Sequence, residues 1–415
     1  MKLLVLADDL TGALDTGIQF VAGHANTRIV LNSHYSLADL DRSVQVLVVD
    51  TESRHLSPEN AAEIVRNITQ QAIDLQVPYI YKKTDSALRG NTGAELAALF
   101  ETSGADQLQF IPAYPRTGRT TVGGIQLIDG IPVAQSVFSR DPFNPVHYSA
   151  VSDILAEQAN VAVHSARTAD PVFREGGIVV YDARTDVEIK QRAQQLKESG
   201  RLHILAGCAG FAAVLPELME LGGADVIEPE YGASFLVACG SVNPITVTQL
   251  AEAERHGFTH IHITPAQAFD SGYFRSDEGL ALLDTWAGIL NSGGNCILDT
   301  NPAPGAETAY VYAQRRGISL EELRVRIADT MGLVLQELLF RKVHSTMLIT
   351  GGDTLMAFMR TVGVSEISPV CELAPGSVLS MVQIGGESYP IISKSGGFGE
   401  KTLIADLAKC VLGQK

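Results

Sequence analysis

The chain has 415 residues, 46% hydrophobic and 19% charged, with a formal net charge of −16. That balance supplies buried cores and enough length for two domains, and no apolar run is long enough to cross a membrane. The acidity, with no basic stripe to offset it, excludes nucleic acid as a partner, so a local cluster of Lys and Arg must draw in any anionic substrate. Cys208, Cys239, Cys296, Cys371 and Cys410 form no CxxC pair. This suits a reduced cytoplasm and gives neither a zinc nor a disulfide framework. The first apolar run meets Asp8 and Asp9 too soon for a signal-peptide core, so a soluble, cytoplasmic protein is expected.

Short β-rich runs alternate with helical patterns, the signature of a mainly parallel α/β fold. Strands are expected at Leu3–Ala7, Thr27–Leu31, Val44–Val49, Tyr79–Tyr81, Gln107–Ile111, Ile178–Tyr181 and Ile204–Ala206. Helices fit between them, for example Pro58–Leu75 and Asp186–Lys197. The stretch from Pro112 to Val146 is rich in Pro, Gly, Thr and Arg, and reads as a long irregular segment. Residues 221–232 read as a linker. The expected organisation is two three-layer α/β domains, 1–225 and 226–415, with mainly parallel sheets.

The chemistry collects just past strand ends, where open α/β sheets bind ligands. Asp8 and Asp9 close the first strand; one can cap the next helix, leaving the other for substrate hydroxyls. Arg54 follows the strand ending at Val49. Its planar fork suits a substrate carboxylate, and the bland alternative is a surface pair with Glu52 or Glu59. The loop from Tyr81 to Gly93 packs Lys82, Lys83, Thr84, Asp85, Ser86 and Arg89 before a helix. Its cations suit an anion, and Asp85 suits a substrate hydroxyl, although a solvated capping turn has the same composition. Arg116 and Arg119 add cations in the irregular stretch, either for substrate or phosphate or simply solvated.

After residue 232, three apolar strands each run through a small-residue turn into a helix: Cys239-Gly240-Ser241, Gly351-Gly352-Asp353-Thr354 and Ser395-Gly396-Gly397. Glycine permits close backbone approach, and a helix start offers free N–H groups to phosphate. Three such turns in one half favour a nucleotide site over plain loop chemistry, yet none matches GxxxxGK[ST] or GxGxxG. The out-of-register acids at Asp8 and Asp9 also disfavour a haloacid dehalogenase phosphatase, which needs DxDx[TV]. His260 and His262 share a strand face with no carboxylate or Cys at useful spacing, so no metal is expected there.

The motifs ADDLTGALDTG at 7–17, DTESR at 50–54, KKTDSALRGN at 82–91, CGS at 239–241, GGDT at 351–354 and KSGGFG at 394–399 together resemble the four-carbon acid sugar kinases. The resemblance covers nearly the whole chain in order, and the KTDSALRGN form is similar to the D-threonate and D-erythronate kinases. It implies a sugar-acid-binding N-terminal domain, a nucleotide-binding C-terminal domain and an active site in the cleft between them. It further implies phosphorylation of the terminal hydroxyl of a four-carbon sugar acid by ATP with Mg2+.

Carried over by motif, the substrate contacts are Asp9, Arg54, Lys83, Thr84, Asp85 and Ser86, with Asp9 or Asp85 as the catalytic carboxylate. The ATP contacts are Ser241, Gly351, Gly352, Asp353, Thr354, Gly396 and Gly397. Asp353 stands where many relatives carry Glu. The expected reaction converts D-threonate to 4-phospho-D-threonate. D-erythronate is the near rival, and a non-catalytic sugar-acid and nucleotide sensor or a carboxylate ligase are rivals of other classes. A homodimer stays open.

Overall fold

The computed structural model describes residues 1–141, 143–225, 228–270 and 272–413. The chain divides into two compact units, Met1–Val226 and Ile227–Lys415. The boundary expected after residue 225 falls on positions outside the described residues.

The first unit runs β1 (Leu3–Ala7), α1 (Leu10–Ala22), β2 (Thr27–Val30), β3 (Val46–Asp50), α2 (Pro58–Asp74), β4 (Tyr79–Lys83), α3 (Thr92–Ser103) and β5 (Gln107–Ile111). It continues through β6 (Arg119–Val122), β7 (Ile125–Ile128), β8 (Ile131–Pro132), α4 (Val151–Ala156), β9 (Val163–Ala166), β10 (Gly177–Tyr181), α5 (Asp186–Glu198), β11 (Ile204–Gly207), α6 (Ala209–Ala212) and α7 (Leu215–Leu218). Eight strands pair in parallel in the order β2-β3-β1-β4-β11-β5-β10-β9. β1, β3 and β10 are nearly unbroken apolar runs because both sheet faces are covered, and all three are buried along their whole length. Helices α2 and α3 pack on the face carrying Leu4, Leu6, Leu47, Val49 and Phe110. Helix α1 covers the opposite face, where Gly17 brings it close to Ile29 and Val48.

The stretch expected to be irregular contains a small antiparallel sheet, β6-β7-β8. Its first hairpin turns at Gly123-Gly124, both with positive φ, as a two-residue primed turn requires. Asp182 locks that tip by accepting the N–H of Gly123 at 2.6 Å and of Gly124 at 2.9 Å.

The second unit runs β12 (Phe235–Cys239), α8 (Pro244–Arg255), β13 (Thr259–His262), α9 (Pro265–Phe269), α10 (Asp277–Asn291), β14 (Cys296–Asp299), α11 (Ala309–Arg316) and α12 (Leu320–Phe340). It ends with β15 (Thr346–Thr350), α13 (Gly352–Thr361), β16 (Glu366–Ala374), β17 (Ser377–Ile384), β18 (Glu387–Lys394) and α14 (Leu403–Val411). The order is β13-β14-β12-β15-β18-β17-β16, parallel through β18 and antiparallel beyond it. Helices α8 and α14 bury one face over Phe235, Val237, Leu348 and Ile392. Helices α10 and α13 contact β14 and β15 and pack with α12. Both units are therefore three-layered, with mainly parallel sheets.

Candidate functional site

In the first unit Ala7 pairs with both Asp50 and Lys83, and Lys83 pairs with Gly207, so four strands end level. The loops after β1, β3 and β4 leave that ledge side by side, and Arg54 ties them together. Its Nε lies 2.7 Å from Asp8 Oδ2, its Nη1 2.7 Å from Asp9 Oδ2 and its Nη2 3.8 Å from Asp85 Oδ1. With its side chain only 11% exposed, Arg54 joins acids across loops instead of forming the surface pair left open by the sequence. Glycine makes this packing possible: Gly90 has φ +80°, and a Cβ there would sit 2.9 Å from Arg54 Cγ.

Asp9 serves two purposes. Its Oδ1 caps α1 by accepting the Gly12 N–H at 2.9 Å, while Oδ2 takes Arg54 and the side chain stays 25% exposed. Asp8 is buried; burial pushes its pKa up, but Arg54, Lys83 and Lys82 outweigh that and hold it below the usual range. Asp50, at the end of β3, goes the other way. Burial, then the charges of Glu52 and Asp9, push its carboxyl well above the usual range.

Alternation along β4 sends its two lysines to opposite faces. Lys82 is fully buried, with Nζ 3.0 Å from Glu95 Oε2 on α3, so it is a structural cation and not one for substrate. Lys83 turns to the α1 face: a Cβ on Gly12 would lie 2.5 Å from Lys83 Nζ and 2.6 Å from Asp9 Oδ1. Asp85 is gripped by Arg89 through two bonds of 2.9 Å and also accepts the N–H groups of Ala87 and Arg89 at 3.2 Å. Burial opposes ionisation of Asp85, but Arg89 and Arg54 hold its pKa far below the usual range. Arg89, expected among the cations for an anion, is thus spent on Asp85 and on Asp141 at 3.1 Å. Thr84 is buried with Oγ1 lacking a hydrogen-bond partner, and the Ser86 carbonyl accepts Gln126 Nε2 of β7 at 2.9 Å. Arg116 lies on the surface, 2.9 Å from Asp186, and Arg119 bonds the Thr117 carbonyl.

In the second unit Cys239 pairs with Thr350, and Thr350 with Lys394, so the three glycine turns also start from one level. They converge. A Cβ on Gly240 would overlap Thr354 Oγ1, one on Gly351 would lie 3.7 Å from Ser241 N, and one on Gly396 would lie 2.9 Å from Ser241 Oγ. Gly351 has φ +107° and caps α13, so the N–H groups of Gly352, Asp353 and Thr354 open that helix. Thr350 Oγ1 is buried with no hydrogen-bond partner beside them. A narrow glycine-walled cradle, helix-start donors and an orphan hydroxyl fit a phosphate group. Asp353 is bonded to Arg324 and its side chain remains 40% exposed. Lys394 went unnoticed in the sequence except as part of a motif. It is 2% exposed, its Nζ donates to the Ser395 carbonyl at 3.0 Å, and burial holds its pKa down to about 8.

The histidine pair needs a correction. His260 and His262 do have a carboxylate at hand: Asp299 on β14 pairs in register with His262, and the three offer ligand atoms within 4.8 Å of one another. Sequence spacing hid it because the partner lies on a neighbouring strand.

Two level ledges, one with acids gathered around a guanidinium and one with glycine turns at helix starts, collect the polar chemistry of the two units, and the glycine-turn ledge has the donors a phosphate would need. Residues 3–215 match the sugar-binding N-terminal domain family, and residues 236–404 match the nucleotide-binding C-terminal domain family. The chain belongs to the family built from these two domains. It is 28% identical to a D-threonate kinase of Salmonella typhimurium, over 98% of this chain and 97% of that one. It is also 28% identical to a D-erythronate kinase of Heliobacterium modesticaldum, over 96% and 94%. A crystal structure from Salmonella typhimurium LT2 shares the fold with a TM-score of 0.79, at 18% identity over 99% of both chains. Among the described residues no helix is long and apolar enough to cross a membrane.

Proposed function

We propose that the protein is an ATP-dependent kinase that phosphorylates the 4-hydroxyl of a four-carbon sugar acid, converting D-threonate to 4-phospho-D-threonate. The observation that carries this reading is the Arg54 hub, which sets Asp8, Asp9 and Asp85 beside Lys83 on one ledge. In this reading Lys83 holds the substrate carboxylate, helped by Arg54 Nη2, whose 3.8 Å contact with Asp85 is the loosest of its three, while Thr84, Asp85 and Ser86 hold the hydroxyls. Asp9, the more exposed acid, takes the proton as O4 attacks the γ-phosphorus and ADP leaves. Asp85, kept ionised by Arg89, acts as a fixed acceptor that orients the hydroxyl and is too weak a base for the proton.

Ser241, Gly351, Gly352, Thr354, Gly396 and Gly397 would cradle the phosphates through backbone donors, with Lys394 adding charge. Mg2+, when bound, would neutralise the transferring phosphoryl group, and Asp353 is the carboxylate that would hold it, through water, on giving up its pairing with Arg324. The equal identity to a D-erythronate kinase favours D-erythronate as the second substrate.

The test is ADP release with Mg-ATP across D- and L-threonate, D- and L-erythronate and 3-oxo-tetronate. D-Threonate should turn over well above the rate without acid. Background ADP with every acid would overturn the proposal.

A further inference from the structure

We propose that His260, His262 and Asp299 form a binding site for one divalent transition-metal ion of the Zn2+ class, distinct from the Mg2+ that accompanies a nucleotide. The site lies at the carboxyl ends of β13 and β14. His262 pairs in register with Asp299, and His260 precedes it by two residues, so all three side chains leave the same sheet face. Two imidazoles and a carboxylate are the donor set that Zn2+, Co2+ and Ni2+ favour and that Mg2+ does not.

The second observation is how each ligand is held from behind. His262 Nδ1 lies 2.9 Å from the Asn301 carbonyl. A carbonyl only accepts, so Nδ1 carries the proton and Nε2 presents a lone pair. His260 Nδ1 is backed by Glu254 Oε2 at 3.2 Å, and its Nε2 donates to Asp299 Oδ2 at 3.1 Å, so a metal that takes the Nε2 lone pair releases that one proton to solvent. Asp299 is fixed through its other oxygen, which accepts from Asn301 N at 2.9 Å and Asn301 Nδ2 at 2.7 Å. A carbonyl, a carboxylate and an amide thus orient three ligands toward one point, the outer-shell support that metal sites use.

A plain His260–Asp299 ion pair would explain only half of this. It gives no reason for the second imidazole, which stacks on the first at 4.2 Å between ring centroids with its Nδ1 already occupied. Tetrahedral bonds of roughly 2.0–2.1 Å set ligands about 3.3 Å apart, so the 3.1 Å pair is already in place and His262 has a short distance to close. Three protein ligands leave a fourth position for water or an exogenous group.

The test uses the untagged full chain, treated with chelator and titrated with Co2+ while visible d–d absorption is recorded. One equivalent should saturate the bands, equimolar Zn2+ should displace them, and millimolar Mg2+ should leave them unchanged. His262→Ala and Asp299→Asn, each checked for an unchanged melting temperature, should abolish them. Glu254→Gln should weaken Co2+ binding about tenfold. No bands in the wild-type chain, bands that survive His262→Ala, or a thiolate charge-transfer band from cysteine ligation would each overturn the proposal. Because binding is read directly on the wild type, a variant that fails to fold cannot decide the matter alone.

Discussion

Replacing Lys82 by methionine removes a fully buried cation and leaves Glu95, itself 2% exposed, with Ser53 as its side-chain hydrogen-bond partner. Glu95 must then stay charged in an apolar site or take up a proton, and the second route caps the cost. From its ordinary pKa of 4.5 to pH 7 is 2.5 units at 1.36 kcal/mol each, about 3.4 kcal/mol; at pH 5 the same reasoning gives about 0.7 kcal/mol. The sign is set by a folded pKa above the unfolded one. Between the two values the folded state holds more protons, so stability falls as pH rises. For a unit of this size, 1 kcal/mol moves the melting temperature by roughly 2–4 °C, so the loss is at most about 7–14 °C at pH 7 and about 1–3 °C at pH 5; burial already raises the Glu95 pKa in the wild type, which keeps the loss below that ceiling. Calorimetric melting of Lys82→Met against wild type at each pH measures this. The double variant Lys82→Met/Glu95→Gln should recover most of the loss, since it strands no charge. An equal loss at both pH values, or one well above about 14 °C at pH 7, would refute the reasoning.

Four further outcomes follow from the two ledges. Gly12→Ala pushes a methyl against Lys83 Nζ and Asp9 Oδ1, and a shift of about 1 Å there should lower kcat/KM roughly 100-fold with little change in melting temperature. Asp9→Asn should cost about 10²–10⁴ in kcat with the KM for sugar acid nearly unchanged. Asp85→Asn should act mainly on that KM by releasing Arg89; near-normal turnover in Asp9→Asn would remove Asp9 as proton acceptor. Lys394 loses its charge as pH climbs through about 8, so the KM for ATP should be flat below that and rise about tenfold per unit above it. Lys394→Met should flatten the profile, and a flat wild-type profile would exclude Lys394 from phosphate binding.

What the sequence revealed, and what it hid, divides along a physical line. Strands such as β1, β3 and β10 were legible because buried parallel strands read as apolar runs, and the loops that end them were legible because their chemistry is local. The β6-β7-β8 sheet was missed, although Gly123-Gly124 and Asp129-Gly130 are hairpin dipeptides; the polar strand Arg119–Val122 masked them. Partnerships across strands were not legible at all. The pairing of Arg54 with Asp8 and Asp9 and of the histidine pair with Asp299 depends on sheet order and register, and that of Lys82 with Glu95 on how α3 packs on β4, none of which a single chain's pattern encodes. Lys82 and Lys83 look equivalent as neighbours, yet the pleat gives one to the core and the other to the ledge.

That pleat limits how the protein can be re-engineered. Ala7, Asp50, Lys83 and Gly207 stop at a common height, so deleting one residue within β4 would draw its loop back by roughly 3.3 Å and invert every side chain after the cut. Lys83 would plunge toward Glu95, and the ammonium beside Asp9 would vanish. Selecting for a new acid must therefore leave strand lengths untouched and work by exchange of side chains within the loops. Natural or laboratory variants with altered substrate choice should carry substitutions there, and length changes only in loops that hang beyond the strand ends.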